Sequence, residues 1–233
     1  DRVTATSLAG QVLSVDPDNP EAEDLLAASP GGGEIRRLAT MFADLVDSTA
    51  LSTRLEPEPY RMLVGSYRNR TLRIIERYGG HVSWIKGDGL FAMFGHPTAH
   101  ENDLRRAVAA GLEITAAVAE LSNRAQRRFG VGIDVRVGIH RGPVYLDIDQ
   151  QDVYGLAANL TARLSGLAEP GTVAVSDTVA PLVQPWFELR SHPPAAVKGV
   201  DDLIGYHRVV AERPDVPPLP PFSLVGRDRE REY

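Results

Sequence analysis

The sequence predicts an α+β domain in which helices cover a single β-sheet. From Arg36 to Val210, short apolar runs of β character alternate with long amphipathic helical patterns. Two of the apolar runs meet at Gly87-Asp88-Gly89, where the glycines supply the backbone angles of a tight turn. The resulting order of strand, helix, hairpin, helix and strand is the βαββαβ order of a ferredoxin-like core.

The first half of this domain contains the long elements. A strand is predicted near Arg37–Leu45, and a helix follows from about Pro57 to Tyr78 because its apolar residues recur at helical spacing. Gly79-Gly80 ends that helix. The hairpin covers His81–Phe94, and a second amphipathic helix extends from about Glu101 to Arg127.

The second half contains shorter elements. A strand at Ile133–His140 is predicted to turn back at Gly142-Pro143 into a strand at Val144–Ile148. Downstream patterns predict a turn with a helix, a strand, a short helix and a last strand, in that order: Asp152–Leu164, Gly171–Val175, Asp177–Val183 and Leu203–Val210.

Composition limits the classes of function. The 233 residues include no cysteine, which excludes disulfides, thiol catalysis and cysteine metal sites. The formal net charge of −6 argues against general nucleic-acid binding, so an anionic small substrate would need metals and a few basic residues. No window approaches the roughly 18 consecutive apolar residues of a membrane span, and no signal pattern begins the chain. We therefore expect a cytoplasmic protein without a membrane partner.

Acidic residues lie at the end of a predicted strand and at the tip of the predicted hairpin. The apolar run LATMFADLVD ends in Asp44 and Asp47, and Asp88 lies at the tip of the hairpin. Two carboxylates brought together can hold two divalent cations beside a phosphate. The alternative is that Asp88 is an ordinary turn residue, because Asp and Gly favour turns whatever the function.

The stretches FADLVDST and KGDGLFAMFG resemble the class III nucleotide cyclase catalytic domain, whose motifs have the forms FxDxxxST and GDGxxAxFG. This resemblance implies an elaborated ferredoxin-like core and a metal site at Asp44, Leu45 and Asp88. It also implies two Mg²⁺ or Mn²⁺ ions per site as cofactors.

The run DVYGLAANLTARL resembles a second motif of the same family, DxxGxxxNxxARL. By that resemblance Asp152 contacts the purine, Asn159 orients the ribose, and Arg163 meets the phosphate in the transition state. Spacing alone also allows a plainer interpretation, since Asn159 and Arg163 are four apart and would form a polar stripe on an exposed helix.

Three further positions bear on substrate binding. Lys198 lies in a VKG motif where the family often carries a phosphate-binding lysine, and the alternative is a solvated surface lysine. Trp84 occupies the position of the adenine-reading lysine of adenylate-specific relatives. Trp84 could stack on a base or pack in the core, and Lys86, on the same face of the strand, could replace the missing lysine.

The resemblance covers about three-quarters of the chain and predicts three segments. Residues 1–34 form an N-terminal helical or linker segment, which is interpreted as the end of a helical repeat or as a frayed tail. Residues 35–211 form the cyclase domain. Residues 212–233 comprise a Pro-rich linker and a stretch, Leu224–Glu230, that looks like the start of a truncated AAA or STAND ATPase domain.

The sequence thus predicts an adenylate cyclase domain that converts ATP to 3′,5′-cyclic AMP and pyrophosphate by two-metal catalysis. The family resemblance implies a head-to-tail homodimer, in which one chain supplies Asp44 and Asp88 and the other supplies Asp152, Asn159 and Arg163. The alternative is a weak or inactive cyclase-like module that binds nucleotide or dimerises to regulate a downstream ATPase domain.

Overall fold

The computed structural model describes residues 33–147, 152–200 and 202–214. The predicted helical or linker segment before residue 33 and the predicted start of an ATPase domain after residue 214 lie outside the described residues. No helix within those ranges is both long and apolar enough to span a membrane.

Eight strands and five helices make up the described domain. In chain order they are β1 (Gly33–Leu45), α1 (Ser48–Arg54), α2 (Pro57–Arg77), β2 (Gly80–Lys86), β3 (Gly89–Phe94), α3 (Asp103–Phe129), β4 (Val135–Asp147), β5 (Asp152–Tyr154), α4 (Leu156–Leu167), β6 (Thr172–Ser176), α5 (Ala180–Val183), β7 (Phe187–Ala195) and β8 (Ile204–Glu212).

All of the strands belong to one sheet with the order β2-β3-β1-β4-β6-β8-β7, and β5 pairs with the end of β4. Strand β1 is antiparallel to both β3 and β4, whereas β6 is parallel to β4. The elements β1, α2, β2, β3, α3 and β4 therefore form the predicted βαββαβ core. Strands β6, β8 and β7 extend this core at the β4 side.

The predicted turn at Gly142-Pro143 is wrong. Strand β4 continues through both residues and pairs with β1 along its whole length, with Pro143 opposite Arg37. Gly142 instead allows α4 to approach β4 closely, because a Cβ atom at this position would lie 2.9 Å from the Cβ of Ala157 on α4. His140 is consequently an interior residue of β4 and not the strand-end residue that a turn would make it.

The two faces of the sheet are covered differently. Helices α2 and α3 pack on one face and enclose the main core, which contains Tyr67, Ile75, Phe94 and Ile139 among others. A smaller apolar cluster lies on the other face, where it includes Phe91, Met93 and Leu146. Helix α4 covers this second face over β1 and β4, and its Thr161 hydroxyl lies 2.6 Å from that of Thr40. Because strand residues alternate between faces, even-numbered residues of β1 such as Thr40 face α4.

Candidate active site

The carboxylates of Asp44 and Asp88 meet at one end of the sheet. Asp44 is the second-last residue of β1, and Asp88 lies in the turn that joins β2 to β3. The backbone N–H of Leu45 donates a hydrogen bond to Oδ2 of Asp88 at 3.1 Å. The structure thus brings together the three residues for which the sequence predicts metal binding.

The tip of the hairpin is fixed by its neighbours. The guanidinium of Arg68 on α2 donates a hydrogen bond to the carbonyl oxygen of Gly87. Gly87 has a φ of 64°, which favours glycine, and a Cβ atom at Gly89 would lie 2.8 Å from the ring of Phe42. Both glycines are therefore needed where they are, and together with Arg68 they hold Asp88 in place against the end of β1.

The proximity of these two carboxylates raises the pKa of Asp44. Burial and the adjacent Asp88 carboxylate raise the pKa of Asp44 to about 7, although the N–H of Leu45 and the charge of Arg136 act in the opposite direction. Two anionic groups held this close favour a proton or a cation between them. Carboxylate and carbonyl oxygens are the ligands that Mg²⁺ and Mn²⁺ prefer, so Asp44, Asp88 and the carbonyl of Leu45 fit such an ion.

No cluster of three or more His, Cys, Asp or Glu side chains that could hold a metal occurs within the described ranges. A cation at Asp44 and Asp88 would therefore take its remaining ligands from backbone carbonyls, water or substrate oxygens. Phosphate oxygens commonly complete the coordination of Mg²⁺ in this way.

Arg136 is a functional candidate that sequence reasoning missed. It lies on β4 directly opposite Asp44, so both side chains project from the same face of the sheet. Its Nε is buried and has no hydrogen-bond partner among the described residues. A guanidinium next to the carboxylate pair can bind an anionic substrate. The available signal was a basic residue between the apolar residues Val135 and Val137 at the start of β4.

Trp84 and Lys86 lie on the same face of β2, as strand alternation predicts. The Trp84 ring stacks on Phe91 with a centroid distance of 5.3 Å and lies 5.6 Å from Phe42. Nζ of Lys86 is 5.1 Å from the centroid of the Trp84 ring. This packing favours the core interpretation of Trp84, and it places the cation of Lys86 over the outer part of the same aromatic group.

Asn159 and Arg163 are exposed one turn apart on α4, as their spacing predicts. Asp152 begins β5, where it is paired with Asp147 at the end of β4, and Asp147 in turn pairs with Gly33 at the start of β1. Asp152 thus lies at the opposite end of β1 from Asp44. Eleven extended residues separate Gly33 from Asp44, which is about 35 Å along the strand.

Lys198 is also remote from the carboxylates. It is exposed in the connection between β7 and β8, which lies beside the pair Ala195 and Ile204. This connection is at the end of the sheet where β6 finishes, because Ser176 pairs with Tyr206. Asp44 lies at the other end, so a single chain does not bring Lys198 to the carboxylate pair.

Comparison with known proteins finds one family and several relatives. A family model described as "Adenylate and Guanylate cyclase catalytic domain" matches residues 33–208. "Adenylate cyclase 1" from Rhizobium meliloti (strain 1021) is 26% identical over 184 residues, which cover 75% of this chain and 28% of the relative. The chain spans 30% and 28% of the lengths of two curated relatives that it matches.

Two solved structures share the fold. The adenylyl cyclase CyaB from P. aeruginosa superimposes with a TM-score of 0.73 at 25% identity, covering 79% of this chain and 99% of that structure. The guanylyl cyclase Cya2 superimposes with a TM-score of 0.72 at 26% identity, covering 78% and 96%. The two similar structures therefore carry the names of different purine specificities.

Proposed function

Since this chain belongs to the adenylate and guanylate cyclase catalytic domain family, we propose that it converts ATP to 3′,5′-cyclic AMP and pyrophosphate at a site shared by two copies. The observation that carries the proposal is the meeting of Asp44 and Asp88 at the end of β1. The two carboxylates and the Leu45 carbonyl would hold two Mg²⁺ or Mn²⁺ ions. Bound there, such ions would lower the pKa of the ribose 3′-hydroxyl and neutralise phosphate charge.

The reaction is an in-line displacement at the α-phosphorus. The ribose 3′-oxygen forms a bond to that phosphorus, the bond to the β-phosphate oxygen breaks, and pyrophosphate leaves. The proton of the 3′-hydroxyl passes to solvent. Negative charge increases on the phosphoryl oxygens during this step, and a preorganised guanidinium stabilises it.

The chain offers two guanidiniums for this task. Arg136 faces Asp44 and would bind phosphate oxygens beside the carboxylate pair. Arg163 is exposed on α4, where it has no ion pair within the described residues, so it is available to a nucleotide that lies between two chains. Asn159, one turn earlier, would orient the ribose by hydrogen bonding.

The separation of about 35 Å along β1 supports a site shared between chains. One chain alone presents Asp44 and Asp88 at one end of the sheet, with Asp152 at the other end. Two chains packed head to tail would place the carboxylate end of each against the Asp152 end of the other. Each dimer would then contain two complete sites.

The activity is tested by incubating the purified chain with ATP or GTP and Mn²⁺ and measuring cyclic nucleotide. Asp88→Ala should abolish the activity while leaving the fold intact, because the side chain serves the site and not the core. Asp134→Ala is the matched control, since Asp134 is an exposed aspartate near the same end of the sheet and should be dispensable. Undiminished turnover by a folded Asp88→Ala protein would remove the carboxylate assignment.

A second candidate function is a cyclase-like module that binds nucleotide or dimerises without rapid turnover. The packing of Trp84 against Phe91 favours it, because no lysine stands at that position to contact the purine. Nucleotide binding with no cyclic product, in a dimer that exchanges subunits normally, would support this module over the enzyme.

A further inference from the structure

A cleft of about 730 Å³ lies beside the α2 and α3 face of the sheet, between the first half of β1, the start of α3 and helix α5. Its walls combine basic and apolar side chains: Arg36, Arg37, Arg105, Arg141, Leu182 and Trp186. We refer to it as the arginine cleft.

The arginine cleft is separate from the candidate active site. Arg141 pairs with Ala39, which belongs to the main core, so the side chain of Arg141 is on the α2 and α3 face. Asp44 projects from the opposite face. Arg37 precedes Asp44 by seven residues, a separation of about 23 Å along the strand.

Two of the guanidiniums are free to bind a ligand. Within the part of the chain that the structure describes, Arg37 and Arg141 make no hydrogen bond or ion pair. Arg105 already pairs with Glu212 at 3.0 Å and lies 5.8 Å from the ring centroid of Trp186. Two unpaired arginines beside an apolar wall suit a partner that is both acidic and apolar.

Carboxylates at the rim form no ion pair with Arg37 or Arg141 within the described residues. Asp103 accepts a hydrogen bond from the backbone N–H of His100 at 2.8 Å and lies 3.2 Å from its ring nitrogen. Glu101 is exposed and makes no ion pair among the described residues. Leu182, with 43% of its surface exposed, leaves apolar area at the opposite wall uncovered.

We propose that the arginine cleft binds residues 16–29 of the same chain. This segment, DPDNPEAEDLLAAS, contains five carboxylates and no basic residue, and its acidic part is followed directly by Leu25 and Leu26. Its carboxylates would pair with Arg37 and Arg141, and its leucines would cover Leu182 and Trp186. No other stretch of the chain outside the described residues combines these features next to β1.

The connection to β1 is the right length for this contact. Six residues, Ala27–Gly32, separate Leu26 from Gly33, and a flexible stretch of that length spans about 15 Å on average. Arg37 lies four residues beyond Gly33, about 13 Å along β1. A chain that reverses at Pro30-Gly31-Gly32-Gly33 therefore returns its leucines to the level of the cleft.

Disulfide cross-linking tests this contact directly, because the chain has no cysteine of its own. The test protein carries Ala27→Cys and Asn102→Cys, with Asn102 exposed at the start of α3 beside the cleft. The control carries Ala27→Cys and Asn123→Cys, an exposed asparagine 21 residues farther along the same helix and so about 31 Å away. Neither asparagine belongs to the proposed catalytic machinery, so failure here is distinguishable from failure of the proposed function.

After oxidation, peptide mapping by mass spectrometry should find the intramolecular disulfide at least about tenfold more often at position 102 than at 123. Adding Arg37→Glu and Arg141→Glu should reduce that cross-link about tenfold, which corresponds to roughly 1.4 kcal/mol of binding. Adding Glu21→Arg and Glu23→Arg to the protein that carries Arg37→Glu and Arg141→Glu should restore the cross-link. Arg37→Gln with Arg141→Gln provides a milder pair if the charge reversal lowers the melting temperature.

Equal cross-linking at 102 and 123 would mean that the segment does not occupy the cleft. A disulfide formed only between two chains would assign the cleft to the segment of a second copy and overturn the same-chain proposal. Cross-linking that stays unchanged in both the Glu and the Gln variants of Arg37 and Arg141 would also overturn the proposal, because the arginines would then contribute nothing to binding of the segment.

Discussion

Asp44 has a carboxylate that is only half-buried, yet Asp88 and burial raise its pKa to about 7. Its ordinary value in an unfolded chain is 3.8. A carboxyl whose pKa is raised on folding binds its proton more tightly in the native state. The stabilisation is therefore fully present below pH 3.8 and is lost as pH rises toward 7. Without a cation, the site is a source of instability at neutral pH.

Replacing Asp44→Asn should remove this penalty. In the presence of a chelator at pH 8, we expect the melting temperature to rise by about 2–4 °C. A gain of about 1 kcal/mol in the free energy of unfolding, a figure that allows for solvent screening, produces a shift of that size in a domain of this length. The difference should shrink at pH 5, where Asp44 is mostly protonated in the folded protein. Thermal unfolding followed by circular dichroism at both pH values measures it, with Asp134→Asn as control. A lower melting temperature for Asp44→Asn at pH 8 would mean that the ionised Asp44 carboxylate does not destabilise the folded protein.

Lys86 is the other residue whose environment predicts a specific effect. Its cation is held over the Trp84 ring, and Trp84 itself is packed against Phe42 and Phe91. We propose that Lys86 replaces the purine-reading lysine that the family resemblance leads us to expect at position 84. Trp84→Lys would remove an aromatic ring from the cluster and so mix a stability loss with any gain in recognition.

Lys86→Met should therefore reduce kcat/KM for ATP about tenfold relative to GTP. This is the effect of losing one hydrogen bond that contributes roughly 1.4 kcal/mol to binding. Lys86→Arg should keep part of the preference, because it retains a cation. Steady-state kinetics with both nucleotides provides the ratio. If wild type already prefers neither purine and the ratio does not move, purine recognition lies elsewhere.

Helix α4 and strand β4 approach each other closely at Gly138. A Cβ atom at Gly138 would lie 2.4 Å from the backbone N of Ser165 and 2.5 Å from the carbonyl oxygen of Thr161. The backbone of α4 thus rests on β4 where glycine leaves room. The hydrogen bond between the hydroxyls of Thr40 and Thr161 fixes the helix over β1, two residues along the sheet from this contact. The exposed Asn159 and Arg163 owe their position to this contact.

Gly138→Ala should displace α4, because the atoms it would meet are backbone and not flexible side chains. We expect a loss of at least about 1–3 kcal/mol in the free energy of unfolding, together with a fall in cyclase activity. Gly65→Ala is the matched control, since nothing lies within 4 Å of a Cβ there and the residue is in α2. Helix propensity predicts that this control gains roughly 0.5–1 kcal/mol. Urea unfolding distinguishes the two, and equal stabilities would mean that α4 adjusts without cost.

At the scale of the whole molecule, the sheet separates the two halves of the predicted site. The carboxylate pair lies where β1 ends and β4 begins, whereas Asp152 lies where β4 ends. Lys198 is likewise at the far end, beside the start of β8. No rearrangement of side chains closes a gap of that length, so Asp152 and Lys198 must come from a different chain than the carboxylates if all of them act on one nucleotide.

Complementation between two inactive variants tests the proposal that each site is shared by two chains. Asp44→Ala and Arg163→Ala should each be inactive alone. A dimer with one chain of each variant should contain one intact site, where the wild-type dimer contains two. The restored site combines the intact carboxylates of one chain with the intact α4 of the other. Cyclic nucleotide formation by the mixture, with subunit exchange verified by labelled chains, is the measurement. Well-folded variants that exchange but fail to complement would argue for sites within one chain.

The sequence by itself determined what depends on neighbours along the chain. Helical periodicity located α2 and α3 to within two residues at each end, and the two glycines around Asp88 located the hairpin. The motif residues of β1 and α4 could also be proposed from the sequence as site residues, because a motif is a local pattern. The alternation of Trp84 and Lys86 on one face followed from the period of a strand.

Tertiary structure decided what depends on strand pairing. Gly142-Pro143 has the composition of a turn, but pairing with β1 keeps β4 extended through it. Arg136 became a site candidate only when the register placed it opposite Asp44, about 90 residues away in sequence. A period of two says which face a residue occupies but not which strand lies beside it, since register is set by the packing of the whole sheet. For that reason the carboxylates could be named from the sequence, and their distance from Asp152 could not.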